Sequence, residues 1–99
     1  MKAIKLEKPW DVACVEMEKP VRKKGEALIK IVTAGICGSD IGAFRGTNGL
    51  VSYPRVIGHE LAGIIEEIDE DNPKGFKVGD HVIVDPYLYC GHCYPCSIG

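Results

Sequence analysis

The chain has 99 residues, of which 45% are hydrophobic, and a formal net charge of −2. This length allows one domain with a modest core, and the mild acidity argues against a nucleic-acid-binding face, which needs concentrated Lys and Arg. No apolar run approaches the roughly 20 residues of a membrane span, and the opening MKAIKLEKPW interleaves charges where a secretory signal has a continuous apolar core. We therefore expect a cytoplasmic protein with no nucleic-acid or membrane partner.

Apolar residues interleaved with charged ones predict a protein built mainly of β-strands. In chain order, strands are expected at residues 1–6, 13–17, 26–34, 61–68 and around 82–84. A single short helix is expected over residues 41–45, capped by Ser39 or Asp40 and ended by Gly46. The predicted architecture is an all-β barrel or sandwich with one helical turn.

Three of the five cysteines, Cys90, Cys93 and Cys96, follow one another at three-residue steps. In a reducing compartment such a cluster indicates a metal site rather than disulfides, and Gly91 gives the loop the freedom to curl around an ion. The metal stays open at this point, because an iron–sulfur cluster with a fourth cysteine at position 100 has the same spacing. His92 lies inside the loop and would have to displace its neighbours to become a ligand.

A second candidate metal site combines Cys37 with the pair His59-Glu60. Cys37 lies between a predicted strand and the predicted helix, where the positive end of the helix favours a thiolate. Thiolate, imidazole and carboxylate all suit zinc. A zinc-protease motif would need a second histidine at position 63, where the chain has Gly63. Spacing alone leaves open whether these residues share an ion, because a single Cys or a single His-Glu pair is more often structural.

The chain contains, in order, the segments GICGSD, YPRVIGHELAG and GDHVIVDPYLYCGHCYPCSIG. Together they resemble the N-terminal catalytic domain of zinc-dependent medium-chain alcohol and polyol dehydrogenases, with closest similarity to the sorbitol, threonine and galactonate types. The resemblance covers essentially the whole chain and implies a GroES-like fold, a partly open β-barrel. It also implies that residues 1–99 are a truncated form of this domain, incomplete at the C-terminus. The Rossmann domain that binds NAD(P) is expected to be absent, because the chain has no G-x-G-x-x-G motif and no βαβ alternation.

The resemblance also assigns roles to residues of the first segments. It implies that Cys37 and His59 bind a catalytic zinc and that Glu60 is a carboxylate near the metal, which binds zinc directly in some members. Ser39 corresponds to the hydroxyl that bonds the substrate oxygen and accepts its proton. Asp40 corresponds to an acid that orients the zinc-bound histidine.

For the last segment, the resemblance implies a structural zinc held by Cys90, Cys93 and Cys96, with a fourth cysteine beyond residue 99. One position departs from the family pattern. Many members have a proton-relaying histidine two residues after the aspartate, where this chain has Gly42. The relay is therefore expected to run from Ser39 through water, or without a histidine.

The implied reaction is the reversible oxidation of a secondary alcohol, a polyol or sugar acid, to a ketone with NAD or NADP. A small-molecule alcohol is the expected partner, within a homo-oligomeric enzyme. Residues 1–99 alone are expected to be inactive, to bind zinc weakly at both sites, and to self-associate or exchange strands. Two alternatives remain: a stand-alone zinc-binding or interaction module with a co-chaperonin-like barrel, and an iron–sulfur carrier.

Overall fold

A computed structural model describes all residues from 1 to 99. It contains six strands and two helices: β1 (Lys2–Lys8), β2 (Asp11–Glu16), β3 (Leu28–Gly35), α1 (Gly38–Arg45), β4 (Arg55–Val56), β5 (Glu60–Glu67), β6 (His81–Val84) and α2 (Tyr94–Ile98). All strand pairs are antiparallel. No helix reaches the length and apolar character needed to cross a membrane.

The strands form two three-stranded sheets, one in the order β2-β1-β4 and the other in the order β3-β5-β6. The hairpin between β1 and β2 places Trp10 in a left-handed conformation with φ of 67°. Its backbone N–H donates to Phe44 O at 2.8 Å, and the two aromatic rings meet edge to face with centroids 5.0 Å apart. These contacts anchor helix α1 to the first sheet.

The second sheet carries the metal-site segments, because β3 ends just before Cys37 and β5 begins just after His59. Its register pairs Gly35 with Glu60 and Ile31 with Gly63. Position 63 must be glycine, since a β-carbon there would collide with the Lys30 carbonyl. The absence of a side chain at position 63 therefore lets β3 and β5 approach closely.

The buried core is small. Its apolar members are Leu6, Ala43 and Ile65, and its one buried charged residue is Asp40. Many large apolar side chains are exposed, including Ile83 at 85% and Leu88 at 100%. The sheets therefore present apolar surface that residues 1–99 do not cover.

The structure confirms the mainly β architecture and the five predicted strands to within a few residues, and it adds the two-residue strand β4. The expectation of a single helix is wrong, because residues 94–98 form α2. The predicted caps Ser39 and Asp40 are also wrong. Helix α1 begins at Gly38 with Cys37 as its N-cap, and Asp40 lies inside the first turn.

Candidate metal centre and adjoining pocket

The structure brings together the three donor groups of the candidate metal site at Cys37, His59 and Glu60. The sulfur of Cys37, an imidazole nitrogen of His59 and a carboxylate oxygen of Glu60 all lie within 4.8 Å of one another. Cys37 is held between β3 and α1, whereas His59 and Glu60 enter β5, so pairing of β3 with β5 produces the convergence.

Asp40 links the two halves of this site through both of its carboxylate oxygens. Oδ2 accepts a hydrogen bond from the Cys37 backbone N–H at 2.9 Å, which satisfies a donor at the start of α1. Oδ1 lies 3.4 Å from Nδ1 of His59. With Nδ1–H directed at Asp40, the lone pair of Nε2 is available to a metal, which is the usual arrangement of a ligating histidine.

The electrostatics of the site favour a thiolate. Hydrogen bonds from the Ser39 backbone N–H and hydroxyl, together with His59, hold the pKa of Cys37 below its ordinary value. The hydrogen bond with Cys37 and the negative charge of Asp40 raise the pKa of His59. The thiolate is the form of cysteine that binds metals.

The donor set fits zinc, since sulfur, nitrogen and carboxylate oxygen are all common zinc ligands. Three protein ligands around a tetrahedral ion leave one position for water or a substrate oxygen, which is the arrangement of catalytic rather than structural zinc sites.

A cavity of about 340 Å³ adjoins this centre. Its lining residues include Ser39, Asp40, Asn48, Arg55 and His59. The Ser39 hydroxyl oxygen is 3.4 Å from Nε2 of His59. Gly42 contributes no side chain here, and its carbonyl accepts hydrogen bonds from the backbone N–H groups of Thr47 and Asn48.

The three-cysteine cluster combines Cys90 and Cys93, from the loop that leads into α2, with Cys96 inside that helix. The Cys96 sulfur is 3.4 Å from that of Cys93 and 3.8 Å from that of Cys90. A zinc tetrahedron with Zn–S bonds of about 2.3 Å has sulfur–sulfur edges of about 3.8 Å, so these distances fit a shared ion. Hydrogen bonding to backbone N–H groups, led by that of His92, and to Cys93 lowers the pKa of Cys90 to about 7. The His92 ring bonds the Cys90 carbonyl at 2.9 Å and lies outside the three-sulfur cluster.

Three residues of the site region were not identified from the sequence. Gly35 lies opposite Glu60, and a β-carbon at position 35 would contact the Glu60 carboxylate. Asn48 and Arg55 line the cavity. The segment YPRVIGHELAG contains Arg55, but only the three-dimensional arrangement connects it with Ser39.

The fold and the two sites define a class: an antiparallel β domain that carries two clusters of side chains of the types that bind metals. Residues 23–99 match the family described as the alcohol dehydrogenase GroES-like domain. Because the match covers well over half of the sequence, the chain belongs to this family, and the resemblance and the GroES-like fold are confirmed.

The chain is 54% identical, over 99 residues, to an uncharacterized zinc-type alcohol dehydrogenase-like protein of Haemophilus influenzae, and 39% identical over 99 residues to the L-galactonate-5-dehydrogenase of Escherichia coli K12. Each alignment covers 100% of this chain and 29% of the relative. Among solved structures, a short chain alcohol dehydrogenase (rspB) from Escherichia coli CFT073, complexed with NADH, superposes with a TM-score of 0.82 at 49% identity. That alignment covers 99% of this chain and 28% of the other.

The chain therefore spans less than a third of the length of these relatives. Its antiparallel strands contain no Rossmann-type βαβ unit. The matches favour the dehydrogenase interpretation over a stand-alone interaction module.

Proposed function

We propose that residues 1–99 form a truncated GroES-like catalytic domain of a zinc-dependent dehydrogenase, which oxidises a secondary alcohol, a polyol or sugar acid, to a ketone with NAD or NADP. The observation that carries this proposal is the convergence of Cys37, His59 and Glu60 beside an open cavity. Family membership supports it, as do the alcohol dehydrogenases among the relatives and the NADH in a similar structure.

In this proposal Cys37, His59 and Glu60 hold a catalytic zinc, which supplies Lewis acidity that makes the substrate hydroxyl easier to deprotonate. Asp40 keeps the His59 ring in the orientation and tautomer that present Nε2 to the site. The Ser39 hydroxyl, which lines the cavity, accepts the proton of the substrate hydroxyl. Because position 42 is glycine, that proton passes on through water rather than through a histidine on α1.

Cys90, Cys93 and Cys96 have a different proposed role. They would hold a structural zinc that stabilises the loop before α2, because their sulfurs lie at tetrahedral spacing. The cavity lined by Ser39 and His59 does not include any of the three cysteines. NAD(P) would be bound by a separate Rossmann domain. We also propose a cytoplasmic, homo-oligomeric enzyme that acts on a small-molecule alcohol.

Cobalt substitution tests the metal assignment, because thiolate-bound Co²⁺ absorbs in the near ultraviolet. Cys37→Ser and His59→Gln should each lower the cobalt bound per chain by one equivalent. Cys14→Ser is the matched control, since Cys14 is exposed on β2 and belongs to neither cluster. Unchanged stoichiometry in both site variants would contradict the proposed centre.

A chimera tests the reaction itself. In it, residues 1–99 replace the matching segment of the NADH-binding rspB enzyme, to which they are 49% identical. The chimera should oxidise an alcohol with NAD⁺, whereas Cys37→Ser and Ser39→Ala should each lower the rate at least about a hundredfold. Equal rates in all three proteins would refute the proposed chemistry.

A further inference from the structure

The cavity beside the candidate metal centre has walls from four parts of the chain. Ser39 comes from the first turn of α1, Asn48 from the loop after α1, Arg55 from β4, and His59 from the segment before β5. Its volume of about 340 Å³ is at the small end of the range for small-molecule sites. The cavity therefore suits a compact ligand that also reaches the metal centre.

Two charged side chains line this cavity, and they differ in what they already bind. Asp40 is buried, and its two oxygens face the Cys37 N–H and the His59 ring. Arg55 is exposed, and its guanidinium has no hydrogen bond or ion pair with any residue of the chain. The cavity therefore has one charged group free to pair with a ligand, and that group is a cation.

The neighbouring polar groups can form further hydrogen bonds with a ligand. The Asn48 side-chain oxygen accepts a hydrogen bond from the Leu50 N–H at 3.1 Å, which turns the amide oxygen toward the chain and leaves its NH₂ group free. The Ser39 hydroxyl bonds the Cys37 sulfur and lies 3.4 Å from Nε2 of His59, and its oxygen keeps a lone pair that can accept a hydrogen bond from a ligand. Together these groups match a ligand that has hydroxyl oxygens along its length and a negative charge at one end.

We propose that the substrate is an open-chain polyhydroxy alcohol with a terminal anionic group, a carboxylate or a phosphate, and that Arg55 pairs with that group. This inference rests on the proposed function. The secondary hydroxyl that reacts lies beside Ser39, and Asn48 donates to a hydroxyl between the two ends. Arginine suits this role because its planar donors match carboxylate and phosphate oxygens. Arg55 thus selects charged sugar derivatives over neutral sugar alcohols.

The test measures binding of three ligands that share one carbon skeleton to the zinc-loaded protein by NMR titration: galactitol, galactonate and galactitol 1-phosphate. At least one anion should bind about tenfold or more tightly than galactitol, because a charge-assisted hydrogen bond typically outweighs a neutral one by this amount. Preference for galactonate identifies the anion as a carboxylate, and preference for the phosphate ester identifies it as a phosphate.

Arg55→Gln should remove this preference by weakening binding of the preferred anion about tenfold or more, while the matched control Arg45→Gln, at the C-terminal end of α1, should keep it. Equal binding of all three ligands, or an anion preference that survives Arg55→Gln, overturns the inference and leaves the proposed function standing. If no ligand binds, the measured zinc content shows whether only the inference fails or the proposed function fails as well. A protein that holds zinc at Cys37 and His59 refutes the inference, and one that does not refutes the proposed function with it.

Discussion

Replacement of Gly35 by alanine should disturb the proposed metal centre although it replaces none of the proposed ligands. Gly35 pairs with Glu60 where β3 and β5 meet. A β-carbon at position 35 would lie 3.0 Å from the Glu60 β-carbon and would contact the Glu60 carboxylate oxygen Oε2. The absence of a side chain at position 35 therefore gives the Glu60 carboxylate room to turn toward Cys37 and His59.

The size of the effect follows from these contacts. Non-bonded carbons are most stable about 3.5–4.0 Å apart, so the Glu60 side chain must move by about 0.5–1 Å to accommodate the new methyl group. We expect about a 10- to 100-fold loss of metal affinity at this centre, as is typical when a ligand loses its positioning. Overpacking costs about 1–3 kcal/mol, and removal of a glycine from the unfolded chain offsets about 0.4–1 kcal/mol of that.

The assay is Zn²⁺ competition against a chromophoric chelator, with urea unfolding of the metal-free protein measured in parallel. Gly49→Ala is the control, because a β-carbon at position 49 meets no atom within 4 Å. In a Glu60→Ala background, Gly35→Ala should have no further effect on affinity. If Gly35→Ala alone binds zinc as tightly as the unchanged protein, Gly35 does not position Glu60.

Four further outcomes are expected. Asp40→Ala should weaken metal binding about 10- to 100-fold and destabilise the protein by about 1 kcal/mol, because it removes both the His59 partner and the bond to the N-terminus of α1. Acidification should destabilise the chain partly through Asp69, whose pKa is lowered by the Gly25 N–H and by Arg22. This contribution is present above the ordinary aspartate pKa and is lost as pH falls through the lowered value, so Asp69→Asn should flatten the acid side of the stability profile. Cys93→Ser should loosen zinc at the cysteine cluster without affecting the Cys37 centre. Sedimentation should show self-association of the chain, because its sheets expose large apolar side chains.

A specific result would contradict each of these four predictions. Unchanged zinc affinity in Asp40→Ala would show that His59 needs no carboxylate partner. Parallel urea-unfolding profiles of Asp69→Asn and the unchanged protein from pH 7 to pH 3 would remove Asp69 from the acid response. Loss of both zinc ions in Cys93→Ser would show that the two sites are coupled. A monomer at high concentration would show that the exposed sheets do not associate.

The sequence predicted the strands well because their apolar residues alternate with charged ones, but it missed short elements. β4 has two residues, too few for any alternation. α2 has five residues, begins with Tyr94-Pro95, and is capped by Cys93, which is not a typical capping residue. The predicted cap of α1 was wrong for a related reason. Asp40 bonds back to the Cys37 N–H from inside the first turn, so the helix starts earlier than the first apolar residue suggests.

The sequence indicated the candidate ligands but not the residues that surround them. Cys37 and His59 are far apart in the chain, and only the pairing of β3 with β5 brings them together. The motifs indicated these residues through family resemblance. Their spacing along the chain did not show whether they share one metal ion. Gly35 lies opposite Glu60 on the neighbouring strand, and Arg55 lines the same cavity as Ser39. Neither residue has a local sequence pattern that would identify it.

The most direct test of the proposed centre is a crystal structure of the zinc-loaded protein with anomalous data at the zinc edge. We expect one anomalous peak about 2.3 Å from the Cys37 sulfur and about 2.0–2.1 Å from Nε2 of His59, apart from any peak at the cysteine cluster. A zinc-loaded crystal in which the Cys37 sulfur and the His59 ring point away from each other, with no ion between them, would contradict this expectation.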